Sequence, residues 1–215
     1  MAWANAAGVG RPVAYLMLGI ALLPLLGACA HHREQAAAPT DWRLVVSDGD
    51  RTRIRTWRNA FTKALEMARQ SGNAAAIEAQ GALLRIDTAA ADPTLPPGDY
   101  RCRAVRLGAT GAGERDLVEM PADACRVTAE GSLLRIAKVG GAQRPSGLLY
   151  PDGEYRMIFL GTMRMADESR GLEYGGDNGR DMAGFVERIG PRRWRLVLPW
   201  PQWQSTMEVV EIMPQ

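Results

Sequence analysis

The chain has 215 residues, 47% hydrophobic and 23% charged, a balance that builds a globular core and excludes wholesale disorder. Its 26 basic and 24 acidic residues leave a net charge of +2 with no concentrated basic stripe, which argues against nucleic acid as a partner. The only histidines are His31 and His32, so Ser-His-Asp, Cys-His and histidine-rich metal sites are excluded from everything beyond them.

Residues 1–28 read as a signal peptide. Arg11 is their one charge, and Val13 to Ala28 is almost wholly apolar. About 20 apolar residues are needed to span a bilayer, so this run is short for a permanent anchor and fits a secretory leader. Leu26-Gly27-Ala28-Cys29 matches the bacterial lipobox, in which small residues admit the peptidase and the thiol receives the lipid. The expectation is a lipid on Cys29 and an address at the outer membrane facing the periplasm. Cleavage after Ala30 also fits the small-x-small rule and gives a soluble periplasmic protein instead. Residues 29–40 read as a flexible tether in which the two histidines are solvated.

The folded domain is expected over residues 41–215, with a helical hairpin over 41–86. Ser47-x-x-Asp50 resembles a capping box. After it Ile54, Trp57, Phe61, Leu65 and Ala68 recur at spacings of three and four, which puts them on one helical face. Gly72 is a stop signal and Asn73 a cap for a second helix through Ile77 and Leu84, interrupted by Gly81.

Pro93, Pro96, Pro97 and Gly98 mark a boundary, and over 98–213 the period changes to two. Short alternating runs are expected as strands at Asp99–Leu107, Ala124–Ala129, Ser132–Val139, Gly147–Tyr150, Glu154–Met165, Gly171–Tyr174, Met182–Ile189, Arg193–Leu198 and Thr206–Ile212. Tyr155, Met157, Phe159 and Met163 fall on one face, although Ile158 and Leu160 blur the other. Trp194, Leu196 and Leu198 alternate with Arg195 and Val197. A meander of this many strands leaves exposed edges unless it closes, so a small barrel or rolled sheet is favoured. The fold class is therefore α+β.

With Cys29 lipidated, Cys102 and Cys125 remain as an even pair, which in an oxidising periplasm reads as a disulfide. Catalytic and metal-binding residues are not assigned, and no cofactor is expected. Carboxylates such as Asp152 and Glu154, Asp167 and Glu168, or Asp177 and Asp181 sit where turns use Asp and Gly anyway. Trp200 and Trp203, with Pro199 and Pro201, either plug a barrel end or grip a ligand.

Several strings together carry a resemblance: Gly98-Asp99-Tyr100-Arg101-Cys102-Arg103, Gln143-Arg144-Pro145, Tyr150-Pro151-Asp152, Phe159-Leu160-Gly161-Thr162, and Arg180-Asp181-Met182-Ala183-Gly184 through Trp194. The chain resembles an uncharacterised family of alphaproteobacterial envelope lipoproteins, domain of unknown function 4893, over about Asp41 to Pro214. The resemblance implies no activity and no site residues. More loosely, the strand-rich part is similar in architecture to small lipocalin and protease-inhibitor barrels, and fold alone does not assign function.

The expected role is a non-catalytic periplasmic binding or accessory module. Its partners would be the membrane, through the lipid, and an envelope protein or cell-wall component. The alternatives are a carrier of a small apolar ligand and a carboxylate hydrolase. Tyr155, Met157, Phe159, Trp200 and Trp203 are the candidate ligand-binding residues. A filled barrel with a broad exposed apolar patch distinguishes the first role, an internal cavity the second, and two converging acids the third.

Overall fold

The computed structural model describes residues 39–165, 168 and 171–215. The expected signal peptide, Cys29 and the two histidines lie outside the described residues. So does Asp167.

The alternating runs form nine antiparallel strands: β1 (Gly98–Ala109), β2 (Leu117–Glu119), β3 (Asp123–Glu130), β4 (Leu133–Lys138), β5 (Gln143–Pro151), β6 (Met157–Met165), β7 (Asp181–Gly190), β8 (Arg193–Pro199) and β9 (Ser205–Pro214). Each of β3 to β9 pairs with the next, and β1 pairs with both β3 and β9, so eight strands close into a barrel. Closure removes the open edges that a meander would otherwise expose. The extra strand, β2, takes the edge of β1 at Val105–Leu107, beyond the stretch Gly98–Cys102 that β3 occupies.

Three expectations on strands are corrected. Gly171–Tyr174 is loop, because Tyr174 is drawn out of any ladder to donate to Asp50 Oδ2 at 2.5 Å. The sixth strand starts at Met157, since Asp152–Arg156 form a turn closed by Asp152 N to Arg156 O. β2 was not anticipated, being only three residues long.

The blurred alternation has a simple cause: much of the barrel wall is buried on both faces. Met157, Phe159, Met163, Trp194, Leu196, Leu198, Val210 and Ile212 point into the barrel and join one apolar cluster. Their neighbours Ile158, Leu160, Val197, Met207 and Val209 point outward and join a second cluster with the helices. Strands covered on both sides read as near-continuous apolar runs.

The helical segment is a broken arm: α1 (Asp48–Arg55), α2 (Trp57–Gln70), α3 (Ala74–Ala79) and a 3-10 turn at Gly81–Leu83. The expected second helix is thus six residues long, and Gly81, with φ +55°, sits where its continuation fails. Ser47 Oγ caps α1 by accepting from Asp50 N at 3.2 Å. Trp57, Ala60, Phe61, Ala64, Leu65 and Ala68 are all buried in one stripe of α2. The alanines in that stripe permit close approach. A Cβ on Gly108 of β1 would come within 3.1 Å of Ala64 Cα, and Gly108 has φ +67°. Only glycine satisfies both constraints there.

The arm is fastened by a buried cation. Arg195 on β8 and Glu187 on β7 are both completely buried and pair at 2.6 Å. Arg195 also donates to the carbonyls of Leu83 (2.9 Å), Arg85 (2.6 Å) and Ile86 (2.9 Å), satisfying the end of the arm. The sequence places Arg195 with Val197 on the face opposite Trp194, Leu196 and Leu198. Arg195 is the polar centre of the arm–barrel contact, with burial lowering its pKa and Glu187 opposing that shift.

Candidate binding cavity inside the barrel

The inward face is not filled along its whole length. At one end Leu95, Tyr100 and Trp194 pack together, with the Tyr100 and Trp194 rings edge to face at 6.2 Å. Toward the other end lies a cavity of about 420 Å³. The elements that place its walls follow from the register. Ala104 on β1, Ile136 on β4, Phe159 and Met163 on β6, Leu196 on β8, and Val210 and Ile212 on β9 all occupy inward positions. Met120 and Pro121, after β2, complete the wall.

Small residues make the space. Gly147 and Gly161 are direct partners on β5 and β6, and the Phe159 ring lies across them. A Cβ on Gly161 would meet Ser146 O at 2.4 Å and Phe159 Cζ at 2.5 Å. The glycine pair therefore lets the Phe159 ring lie against the wall instead of projecting across the barrel.

Cys102 and Cys125 are joined in a disulfide that also borders the cavity. It ties β1 to β3 just before β2 takes over the β1 edge. A loop of this length contributes roughly 3 kcal/mol in the chain-entropy picture.

Two ion pairs face this space. Arg106 Nε donates to Glu208 Oε2 at 2.8 Å, and its other nitrogens donate to Gln204 (2.7 Å) and Gln143 (2.6 Å). Lys138 pairs with Asp123 at 2.6 Å. Burying charge on an otherwise apolar wall requires such pairing.

The family model for the domain of unknown function DUF4893 matches residues 42–212. The chain belongs to the DUF4893 family. The match runs from the 3-10 turn at Trp42–Leu44 to within β9, so the DUF4893 domain here takes in both the helical arm and the barrel. No curated protein and no solved structure matches the chain.

Of the five candidate ligand-binding residues, Phe159 alone borders the cavity of the DUF4893 barrel. Met157 points inward but belongs to the filled end, two positions before Phe159 on the same strand. Tyr155 is 49% exposed, because it belongs to the turn before β6 and borders an outer cleft with Arg58, Asp87 and Arg156. Trp200 packs outside the barrel against the arm, where its Nε1 donates to Thr56 at 3.1 Å. Trp203 packs partly against the inward cluster but does not border the cavity.

Arg106, Gln143 and Glu208 were missed by sequence reasoning. The signal was present: Glu208 shares inward parity with Val210 and Ile212, and a charge at an inward register is informative.

Four of the acids considered for hydrolysis, Asp152, Glu168, Asp177 and Asp181, hold local structure. Asp152 accepts from Trp42 Nε1 and from Arg43, both at 3.0 Å. Asp177 accepts from Gly179 N in a turn, and Glu168 pairs with Arg180. Asp181 accepts from Gly175 N at 3.0 Å, and burial raises its pKa. Glu154 contributes its carbonyl to Asp92 N. Among the described residues no helix is long and apolar enough to cross a membrane.

Proposed function

We propose that the protein is a non-catalytic carrier whose barrel holds a small, largely apolar molecule. The observation that carries this reading is the cavity of about 420 Å³ on the inward face of the barrel, walled mainly by aliphatic, aromatic and sulfur-containing side chains. Ligand sites typically enclose about 300–1,000 Å³ with this kind of lining and a few placed polar groups. A packed interior would instead favour a module acting only through its surface. The two acids that border the cavity, Asp123 and Glu208, are each paired to their own cation, which does not favour acid–base hydrolysis.

The lipobox around Cys29 supports a lipid anchor and a place in the cell envelope, with the barrel on the periplasmic side of the outer membrane. An envelope protein or cell-wall component is then the partner class to which such a carrier would pass its cargo. Retention of the Cys29→Ser protein in the membrane fraction would remove the anchor from this account. The cargo is tested by native mass spectrometry of the protein released gently from its own host. A reproducible extra mass of small-molecule size is expected. A clean apo mass, with no uptake from an envelope lipid extract, would sink the carrier reading.

A further inference from the structure

We infer that the ligand is an uncharged amphiphile whose polar end both donates and accepts a hydrogen bond, an alcohol or a primary amide, seated at Arg106 and Glu208. The inference rests on the reading of the barrel as a carrier. It is carried by how the polar groups of the cavity are used. The four charged side chains that border it cancel in two pairs, Arg106 with Glu208 and Lys138 with Asp123. A ligand carrying net charge would therefore enter an apolar chamber without an unpaired counter-ion, which is costly.

The pairing is also incomplete in a specific way. Glu208 accepts from Arg106 through Oε2, and among the described residues nothing donates to its Oε1. Arg106 spends one N–H on each of Glu208, Gln204 and Gln143. A guanidinium has five such donors, so two remain. What these groups offer to an occupant of the accessible space beside them is thus an acceptor at Glu208 and donors at Arg106. A carboxylate can only accept and an ammonium can only donate, whereas a hydroxyl or primary amide does both.

Size fits the same class. The cavity of about 420 Å³ equals about 14 water-sized volumes at ~30 Å³ each, room for an aliphatic chain of roughly ten carbons. Phe159, Met163 and Leu196 line the part such a tail would fill.

The test is calorimetric titration of the delipidated full-length protein with decanol, decanoate and decylamine at neutral pH. Ala104→Phe, which fills the cavity from β1, serves as the blocked control. Decanol is expected to bind about tenfold or more tightly than either charged probe, in proportion to one well-made buried hydrogen bond and an avoided unpaired charge. Binding is expected to disappear in Ala104→Phe. If decanoate or decylamine binds as tightly as decanol and Ala104→Phe abolishes it, the carrier reading stands and the neutral-ligand inference falls. If none of the three binds, or the blocked variant binds them equally, the carrier reading itself fails. Glu208→Gln, which leaves Arg106 without its carboxylate, is expected to shift the preference toward decanoate by about tenfold. An unchanged preference in a folded variant would remove Glu208 and Arg106 from the site.

Discussion

Two side chains that looked ordinary in sequence hold the arm to the barrel. Arg195 is fully buried, paired to Glu187, and spends its remaining donors on carbonyls at the end of the arm. Removing it leaves the Glu187 carboxylate paired, among the described residues, with Arg156 alone at 2.7 Å, and takes a donor from each of those carbonyls. Arg195→Ala is expected to cost about 3–5 kcal/mol of unfolding free energy, measured by denaturant titration. A loss within experimental error of zero would mean the arm is held by apolar contact alone. Tyr174 supplies the pH-sensitive counterpart. Burial and the hydrogen bond to Asp50 push its hydroxyl up to about 12, against 10.0 for a free tyrosine. Between those values the folded protein keeps a proton that the unfolded chain has released. The latch thus contributes fully below pH 10.0 and is lost as pH rises toward about 12. Stability measured across that window should fall more steeply in the wild type than in Tyr174→Phe. Parallel slopes would rule out Tyr174 as the source.

At the scale of elements, the strands were legible where one face met water and illegible where neither did. β3 alternates plainly, with Cys125 and Val127 buried between exposed Arg126 and Thr128. β6 to β9 are buried almost throughout, because the arm covers their outer face, so periodicity alone did not tell inside from outside. Leu172 and Tyr174 imitated a strand because a latch, not a ladder, requires Tyr174. The cavity was hidden for a different reason. It depends on which inward positions around the whole ring are small, and Ala104, Gly147 and Gly161 are far apart in the chain. That logic makes a prediction. Gly161→Ala forces a Cβ into space held by Ser146 O and the Phe159 ring, so the ring must turn toward the cavity. The variant is expected to lose about 1–3 kcal/mol to overpacking and to bind decanol more weakly in the same titration. Full affinity in a stable variant would show that Phe159 does not set the width of the chamber.

For the molecule as a whole, arm and barrel are expected to behave as one cooperative unit although they differ in class. The outer wall of the barrel presents Val105, Leu107, Phe185, Val197, Met207 and Val209 to the arm, and all six are essentially inaccessible. A barrel stripped of the arm would expose them as one apolar patch, of the kind monomeric proteins rarely tolerate. The arm alone is no better placed, since α3 is six residues long and α2 fourteen, near the length below which isolated helices are marginal in water. The polar joint points the same way, because Arg195 reaches the carbonyls of Leu83, Arg85 and Ile86 only when the end of the arm is docked on the barrel. Native-state hydrogen exchange can read this directly, because the slowest amides of each element report the free energy of the opening that exposes them. The slowest amides of α2 and those of β8 and β9 should share a single opening free energy, equal to that of global unfolding. Arg195→Ala should lower all of them together. An α2 that opens well before β8 and β9 would instead make the arm a separable cover, and the packing of Phe61 and Ala64 against the wall would then be a reversible contact and not part of the fold's core.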